Sequence, residues 1–304
     1  MTRGPLVWLP YDPADLGDVP DGLRYVWSAP GDPPPERLDE VELVVPPYAF
    51  GDLDPSVFAA MPRLRVVQSL TAGVEHLEPH VPDGVLLCNG GGIHDASTAE
   101  LALTLILASL RGVPEFVRAQ DRGEWAWEWR PALADKRVLI LGHGRIGAAV
   151  EARLAPFECE VVRVARTARE GVHPVADLPR LLAEVDVVVV IVPATPETRH
   201  LVDAAFLAAM KPGALLVNVS RGAVVDTDAL VDALRAGGLH AALDVTDPEP
   251  LPPGHPLWTA PHLLLSPHTG GSSSAMWPRA HRLVREQLAR FAVGEPLANQ
   301  MTRA

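Results

Sequence analysis

Two cysteines in 304 residues, Cys88 and Cys159, are too few for a disulfide framework, and they form no CxxC spacing of the kind that binds zinc. Both stand in apolar surroundings, which points to a reducing compartment. Long apolar runs are also missing. The strongest, Val187 to Val192, falls far short of the roughly 20 residues that span a bilayer. The opening Met1-Thr-Arg-Gly-Pro-Leu-Val-Trp8 holds no apolar stretch of a secretory signal, so a soluble, cytoplasmic protein is expected. Positive charge is scarce: 26 Lys and Arg face 38 Asp and Glu, a formal net charge of -12. Wholesale binding to nucleic acid or to an anionic membrane is therefore disfavoured, and any small anion must be held by a local cluster of donors. Internal repeats and low-complexity tracts are absent. Apolar residues, by contrast, make up 48% of the chain at a mean hydropathy of +0.12, enough for one large or two medium cores.

Residues 1–95 read as short strands at Leu6–Leu9, Arg24–Trp27, Val41–Val45, Leu64–Leu70 and Val85–Cys88, with Pro- and Gly-rich turns such as Gly31-Asp-Pro-Pro-Pro35 between them and a short helical stretch near Pro55–Met61. Ser97-Thr-Ala-Glu100 has capping-box spacing ahead of the apolar run Leu101–Leu110, which predicts a long helix. From Arg137 the rhythm becomes a strict alternation. Strands are expected at Arg137–Leu141, Glu160–Val164, Val185–Val192, Ala214–Val219, His240–Asp244 and Leu263–Ser266. Helices are expected between them at Ile146–Leu154, Leu178–Ala183, Ala204–Met210 and Thr227–Ala236, and a last one at Ser274–Phe291. The continuously apolar Val185–Val192 suits a parallel strand covered on both faces. Six strands with helical crossovers describe an α/β, Rossmann-type doubly wound domain.

Leu141-Gly142-His143-Gly144-Arg145-Ile146-Gly147 is a GxGxxG placed after a strand and opening a helix, the context that makes such a motif a dinucleotide site. The loop residues Gly142, Gly144, Arg145, Ile146 and Gly147 are the expected cofactor contacts, with phosphates at the helix N-terminus. NAD-specific sites place an acid about 20 residues on, at the end of the second strand. Here Ala165 stands in that place, followed by Arg166, Thr167 and Arg169, whose charge and hydroxyl can grip a 2′-phosphate. NADP(H) is therefore expected over NAD(H).

Three later segments put chemistry past strand ends on one sheet edge: Arg221 in Val217-Asn-Val-Ser-Arg-Gly222, Glu249 in Asp244-Val-Thr-Asp-Pro-Glu-Pro250, and His268 in Ser266-Pro-His-Thr-Gly-Gly271. Reduction of a 2-oxo acid needs a hydride donor, a proton donor and a cation for the carboxylate. An imidazole with its ordinary pKa near neutrality supplies the proton. A carboxylate beside it favours the protonated ring. A guanidinium binds the carboxylate and polarises the carbonyl. His76 and His80 share i,i+4 spacing, but Pro79 breaks the helix that would align them, so no metal site is expected.

With those motifs in hand, the chain resembles the D-2-hydroxyacid dehydrogenase family over nearly its whole length. Ser69-Leu-Thr-Ala-Gly-Val-Glu-His76 and Val192-Pro-Ala-Thr-Pro-Glu-Thr-Arg199 add to the four segments above. The resemblance implies catalytic roles for Arg221, Glu249 and His268, with Arg221 and His268 also binding substrate. It implies backbone amides at Ala72, Gly73 and Val74 for the substrate carboxylate, Asp244 and Thr98 near the nicotinamide, and Pro193 and Thr195 in a cofactor-lining loop. It further implies a smaller flavodoxin-like α/β substrate domain built from both termini (1–96 and 275–304), a dinucleotide domain at 97–274, and a homodimer formed through the latter. The missing ribose-binding acid is similar to the NADP-using glyoxylate and hydroxypyruvate reductases. Gly123-Glu-Trp-Ala-Trp-Glu-Trp-Arg130 is unusually aromatic, and Trp125, Trp127, Trp129 and Trp277 are open to a pocket role or an interface role. Phosphite- or formate-type dehydrogenases and dinucleotide-sensing corepressors are the competing readings. Neither membrane nor nucleic acid is an expected partner.

Overall fold

A computed structural model describes residues 4–48 and 54–301; residues 1–3, part of the stretch read for a secretory leader, lie outside them. The chain forms two compact units, Met1–His94 with Ser274–Ala304, and Asp95–Ser273.

In the first unit, β1 (Leu6–Leu9), β2 (Arg24–Trp27), β3 (Val41–Val44), β4 (Val66–Gln68) and β5 (Leu86–Cys88) form a parallel sheet in the order β2-β1-β3-β4-β5. Alternate residues of one strand feed two cores, as the period of two requires. Val7, Leu9, Leu43 and Val66 pack with the closing helix Met276–Val293 through Ala280, Val284 and Leu288. Leu6, Trp8, Val44 and Val67 pack with Phe58 and Leu77 on the opposite face. A buried amide pair joins the closing helix to the sheet: Gln287 Nε2 donates to Gln68 Oε1 at 2.6 Å and to the Ala298 carbonyl at 2.9 Å. Gln68 Nε2 in turn donates to the Ser69 and Asn89 carbonyls. A buried polar network with every member paired specifies one arrangement, which is how a helix from the far end of the chain finds this sheet.

The second unit opens with α1 (Asp95–Arg111) and α2 (Val113–Asp121) and continues β6 (Arg137–Leu141), α3 (Arg145–Leu154), β7 (Glu160–Ala165), β8 (His173–Pro174), α4 (Leu178–Leu182), β9 (Val187–Val190), α5 (Ala204–Ala209), β10 (Leu215–Asn218), α6 (Thr227–Arg235), β11 (His240–Leu243) and β12 (Leu263–Leu265). The sheet is wholly parallel in the order β12-β11-β10-β9-β6-β7-β8, so its direction of growth reverses between β6 and β9. The valines of β9 show why the strand is continuously apolar. Val188 and Val190 join Leu181, Phe206 and Leu230 on one face, while Val187 and Val189 join Ala102, Ile106 and Val150 on the other.

Several boundaries differ from expectation. The sheet has seven strands rather than six, because the two-residue β8 is too short to carry a pattern. The expected strand Val185–Val192 contracts to Val187–Val190, with Val185 buried and Asp186, Ile191 and Val192 half-buried at its ends. The long helix starts at Asp95, so Ser97 is buried within the first turn and the capping-box reading fails; the acidic Asp95 suits the positive helix end instead. α2 has no counterpart among the expected helices: Gly112 at φ 65° breaks it from α1, and Val113, Phe116 and Val117 face outward, masking the usual core-facing stripe. The stretch near Pro55–Met61 is a 3-10 helix, Pro55–Ala60.

Leu216, fully buried at the centre of β10, tests the packing. Leu216→Ala is expected to cost about 2–5 kcal/mol, seen in urea titration as a lower midpoint for this unit's transition at an unchanged slope.

Candidate active site

The strands of the second sheet are all parallel, so the loops after β6, β9, β10, β11 and β12 leave from one edge. The glycine loop follows β6 beside the reversal point, the position where α/β sheets bind ligands. Gly142 sits at φ 107°, and a Cβ there would lie 2.2 Å from the Ile191 carbonyl oxygen. A Cβ on Gly147 would lie 2.3 Å from the Gly142 carbonyl oxygen, so this glycine lets α3 close on β6. Gly144 differs: a Cβ would meet nothing within 4 Å. Protein packing therefore accounts for the outer two glycines, and the open space over the middle one fits a phosphate approaching backbone. Gly144 also caps α3 without a side-chain hydrogen bond, so no side chain at the cap occupies the first-turn amides. Ile146 is half-buried beside it, and Arg145 turns outward to Asp95 at 3.1 Å. The Pro193–Thr195 loop after β9 is closed by the Thr198 hydroxyl, which donates to the Pro193 carbonyl at 2.6 Å and accepts from the Thr195 amide at 2.8 Å.

Ala165 ends β7, and Arg166, Thr167 and Arg169 are exposed just beyond it. Among the described residues Arg166 makes no hydrogen bond. Arg169 Nη2, by contrast, donates to the His143 carbonyl at 2.6 Å.

Three further loops carry the remaining candidates. Asn218, fully buried at the end of β10, shapes the first: its Oδ1 accepts from the Ser220 amide and hydroxyl, and its Nδ2 donates to the Arg221 carbonyl at 3.0 Å. A Cβ on Gly222 would lie 1.9 Å from the Thr246 carbonyl oxygen, so the Arg221 loop packs directly on the loop bearing Glu249. Arg221 Nη1 donates to the Ser220 carbonyl at 2.8 Å. Asp244, 2% exposed at the end of β11, organises the third loop. Its Oδ1 accepts from the Ser266 hydroxyl at 2.5 Å and the Thr269 amide at 2.8 Å, and its Oδ2 accepts from the Gly270 amide at 2.8 Å. The His268 amide donates to the Asp244 carbonyl at 2.7 Å, and Thr98 on α1 donates its hydroxyl to the Gly270 carbonyl at 3.3 Å. Held this way, His268 adopts φ 52°, a left-handed conformation rare for a residue with a Cβ. Its Nδ1 is hydrogen-bonded to Glu249 Oε1. A carboxylate only accepts, so Nδ1 carries the proton of that bond. A cavity of about 480 Å³ adjoins the pair, lined by Thr246, Leu251, Trp258 and Leu265 among others.

Asn218, Gly222 and the bridging part of Asp244 are the loop-shaping positions that motif reading misses. The signal was there in two forms: a buried amide ending an apolar strand, and a glycine where the neighbouring backbone leaves no room.

In the first unit, the loop after β4 is held by its carbonyls. Asn89 Nδ2 donates to the Ala72 carbonyl at 3.0 Å, the Thr71 hydroxyl donates to the Gly73 carbonyl at 2.7 Å, and the Gly90 amide donates to the Thr71 carbonyl at 2.7 Å. The carbonyls are tied down, while the amides of Ala72, Gly73 and Val74 make no hydrogen bond among the described residues. Trp277 packs in the same unit, edge-on to Tyr11 at 6.0 Å between ring centres. Trp125, Trp127 and Trp129 belong to the second unit and are 95%, 72% and 85% exposed. No single helix among the described residues is long and apolar enough to cross a membrane.

The family model for the D-isomer specific 2-hydroxyacid dehydrogenase, NAD binding domain, matches residues 103–270. The chain belongs to the D-isomer specific 2-hydroxyacid dehydrogenase family. It is an NAD(P)-dependent dehydrogenase with the family's two-domain α/β fold. A glyoxylate reductase of Korarchaeum cryptofilum is 36% identical over 275 residues, covering 86% of this chain and 82% of that protein. A D-isomer specific 2-hydroxyacid dehydrogenase from Xanthobacter autotrophicus Py2, solved with NADPH and MES, superposes at a TM-score of 0.83 with 35% identity, covering 99% of this chain and 98% of that one. An NADPH-dependent glyoxylate/hydroxypyruvate reductase of Sinorhizobium meliloti, solved with NADP and sulfate, superposes at 0.84 with 28% identity and 99% of both chains covered.

Asp244 offers a test of how this dehydrogenase builds its loop. Asp244→Asn replaces an acceptor with an NH₂ group facing amide and hydroxyl donors. It should destabilise the protein by about 1–3 kcal/mol, measured as a lower Tm, and reduce kcat alongside.

Proposed function

We propose that this dehydrogenase reduces a small 2-oxo acid such as glyoxylate or hydroxypyruvate to the D-2-hydroxy acid, with NADPH as the favoured cofactor. The observation that carries the reading is the His268–Glu249 hydrogen bond on the sheet edge that also bears the glycine loop and Arg221. When bound, the nicotinamide supplies the hydride to the carbonyl carbon. His268 supplies the proton to the carbonyl oxygen. Because its Nδ1–H is committed to Glu249, the proton leaves from Nε2, and Glu249 fixes both tautomer and ring orientation. Arg221 binds the substrate carboxylate and polarises the carbonyl. The amides of Ala72, Gly73 and Val74, which make no hydrogen bond among the described residues, suit an anionic group such as a carboxylate. Gly142, Gly144, Arg145, Ile146, Gly147, Pro193 and Thr195 hold the dinucleotide, and Thr98 and Asp244 shape the loop beside the nicotinamide.

The NADPH preference rests on the tip of β7, which ends in Ala165 with no carboxylate for a ribose hydroxyl and carries Arg166, Thr167 and Arg169 at the surface. NADP(H) in two of the solved relatives supports it. The three exposed tryptophans after α2, with Phe116 and Val117, form an apolar surface that suits a homodimer made through this unit. Unpaired Cys88 and Cys159 fit a cytoplasmic setting.

A screen of NADPH and NADH against a panel of 2-oxo acids, followed at 340 nm, tests the reading; no turnover of any of them would overturn it. His268→Ala should lower kcat by about 10²–10⁴-fold while NADPH still binds, as read from fluorescence quenching. A variant with near-normal kcat would remove His268 as proton donor. Arg166→Glu should lower the ratio of kcat/KM for NADPH over NADH by about tenfold or more, the size expected for a lost charged hydrogen bond.

A further inference from the structure

We propose that His143, the second residue of the glycine loop, is a positioning residue for cofactor selection. It pins the Arg169 guanidinium at the rim of that loop, so that a 2′-phosphate meets a donor already oriented. The proposal rests on the reading of Arg166 and Arg169 as 2′-phosphate ligands and assigns the device that distinguishes one arginine from the other.

Four side chains from three elements form one chain. Arg169 Nη2 donates to the His143 carbonyl at 2.6 Å and stands 3.2 Å from His143 Nδ1. His143 Nε2 lies 2.7 Å from Glu151 Oε2, on α3. Glu151 Oε1 accepts from Arg163 Nε at 2.8 Å and also from Arg163 Nη2, on β7. The backbone of Arg169 is fixed as well: its amide and carbonyl pair with Val172 at 3.2 and 2.9 Å. Arg166, three residues earlier on the same tip, has neither restraint.

Proton logic selects a single state of His143. A guanidinium can only donate, so Nδ1 must present a lone pair to Arg169. A carboxylate can only accept, so Nε2 must carry the proton toward Glu151. The hydrogen bond from Arg163 holds the Glu151 carboxyl below the usual carboxylate range, which keeps that acceptor charged at working pH. The neutral Nε2–H tautomer satisfies both neighbours. A second proton on the ring would abolish the acceptor and set a cation against Arg169. The charged groups facing His143 are Glu151 from α3, Arg163 behind it on β7, and Arg169 from the β7 tip; Arg145, on the glycine loop's own helix, is turned to Asp95. The His143 side chain is only 15% exposed, so water does little to screen these contacts. Ordering a long arginine before the ligand arrives removes part of the entropy cost of binding.

Calorimetric titration of the full chain with NADP⁺ and NAD⁺ reads this without turnover. His143→Leu should lower the preference for NADP⁺, the ratio of the two dissociation constants, by about fivefold, through weaker NADP⁺ binding. His143→Asn keeps the loop carbonyl and offers a side-chain acceptor, so it should retain more of that preference than His143→Leu. An unchanged ratio in His143→Leu, or equal weakening of both nucleotides, would make His143 a structural member of the loop and overturn the proposal. Where His143→Leu does not fold, an NADP⁺ preference unchanged in Arg169→Ala would overturn it, because the oriented guanidinium would then not be the donor. Wild type without NADP⁺ preference would instead bring down the reading of the β7 tip on which this one stands.

Discussion

A single buried carboxylate decides how the active edge of the second sheet is used. Seven parallel strands place every carboxyl end on one side, but that alone yields only a row of loops. Asp244, at the end of β11, accepts from the Ser266 hydroxyl and the Thr269 and Gly270 amides, and so draws the loop after β12 over its own strand. His268 lies in the middle of that span, in a left-handed conformation that a free loop would rarely hold. A charge taken out of water must be fully hydrogen-bonded, and the loop supplies those bonds from its backbone. The histidine's position follows from the solvation of an aspartate.

Asn218 repeats the device one strand away, with an amide in place of a carboxylate and Arg221 in place of the histidine. Gly222 then allows the Arg221 loop to rest on the backbone at Thr246. Catalytic candidates separated by tens of residues are thus positioned by strand-end polar groups, each turning one loop. The glycine loop adds a third instance, in which the His143 carbonyl and ring hold an arginine from the neighbouring strand.

Much of this could be read from the residues. The alternation after Arg137, the apolar β9 and the strand–GxGxxG–helix order follow from elementary periodicity and turn chemistry, and the same alternation puts Arg221, Glu249 and His268 past strand ends. What escaped reading was local competition. Ser97 looked like a helix cap because its spacing to Glu100 fits, yet Asp95 begins the helix and Ser97 is buried inside it. α2 was missed because its apolar residues face outward, so the pattern carries no core-facing stripe. β8, only two residues long, has no period to detect. The hydrogen bonds of Asp244 and Asn218 depend on loops 20 or more residues away or on a tight turn, and no spacing rule encodes them.

A crystal structure with NADP⁺ and an unreactive 2-oxo acid analogue such as oxamate tests the central claim most directly. The account predicts the analogue's carbonyl oxygen within hydrogen-bond distance of His268 Nε2, its carboxylate on Arg221, and the Asp244 bonds to the Ser266–Gly270 loop intact. A complex in which the imidazole has turned from the ligand, or in which His268 reaches it only after the Asp244 bonds break, would contradict it.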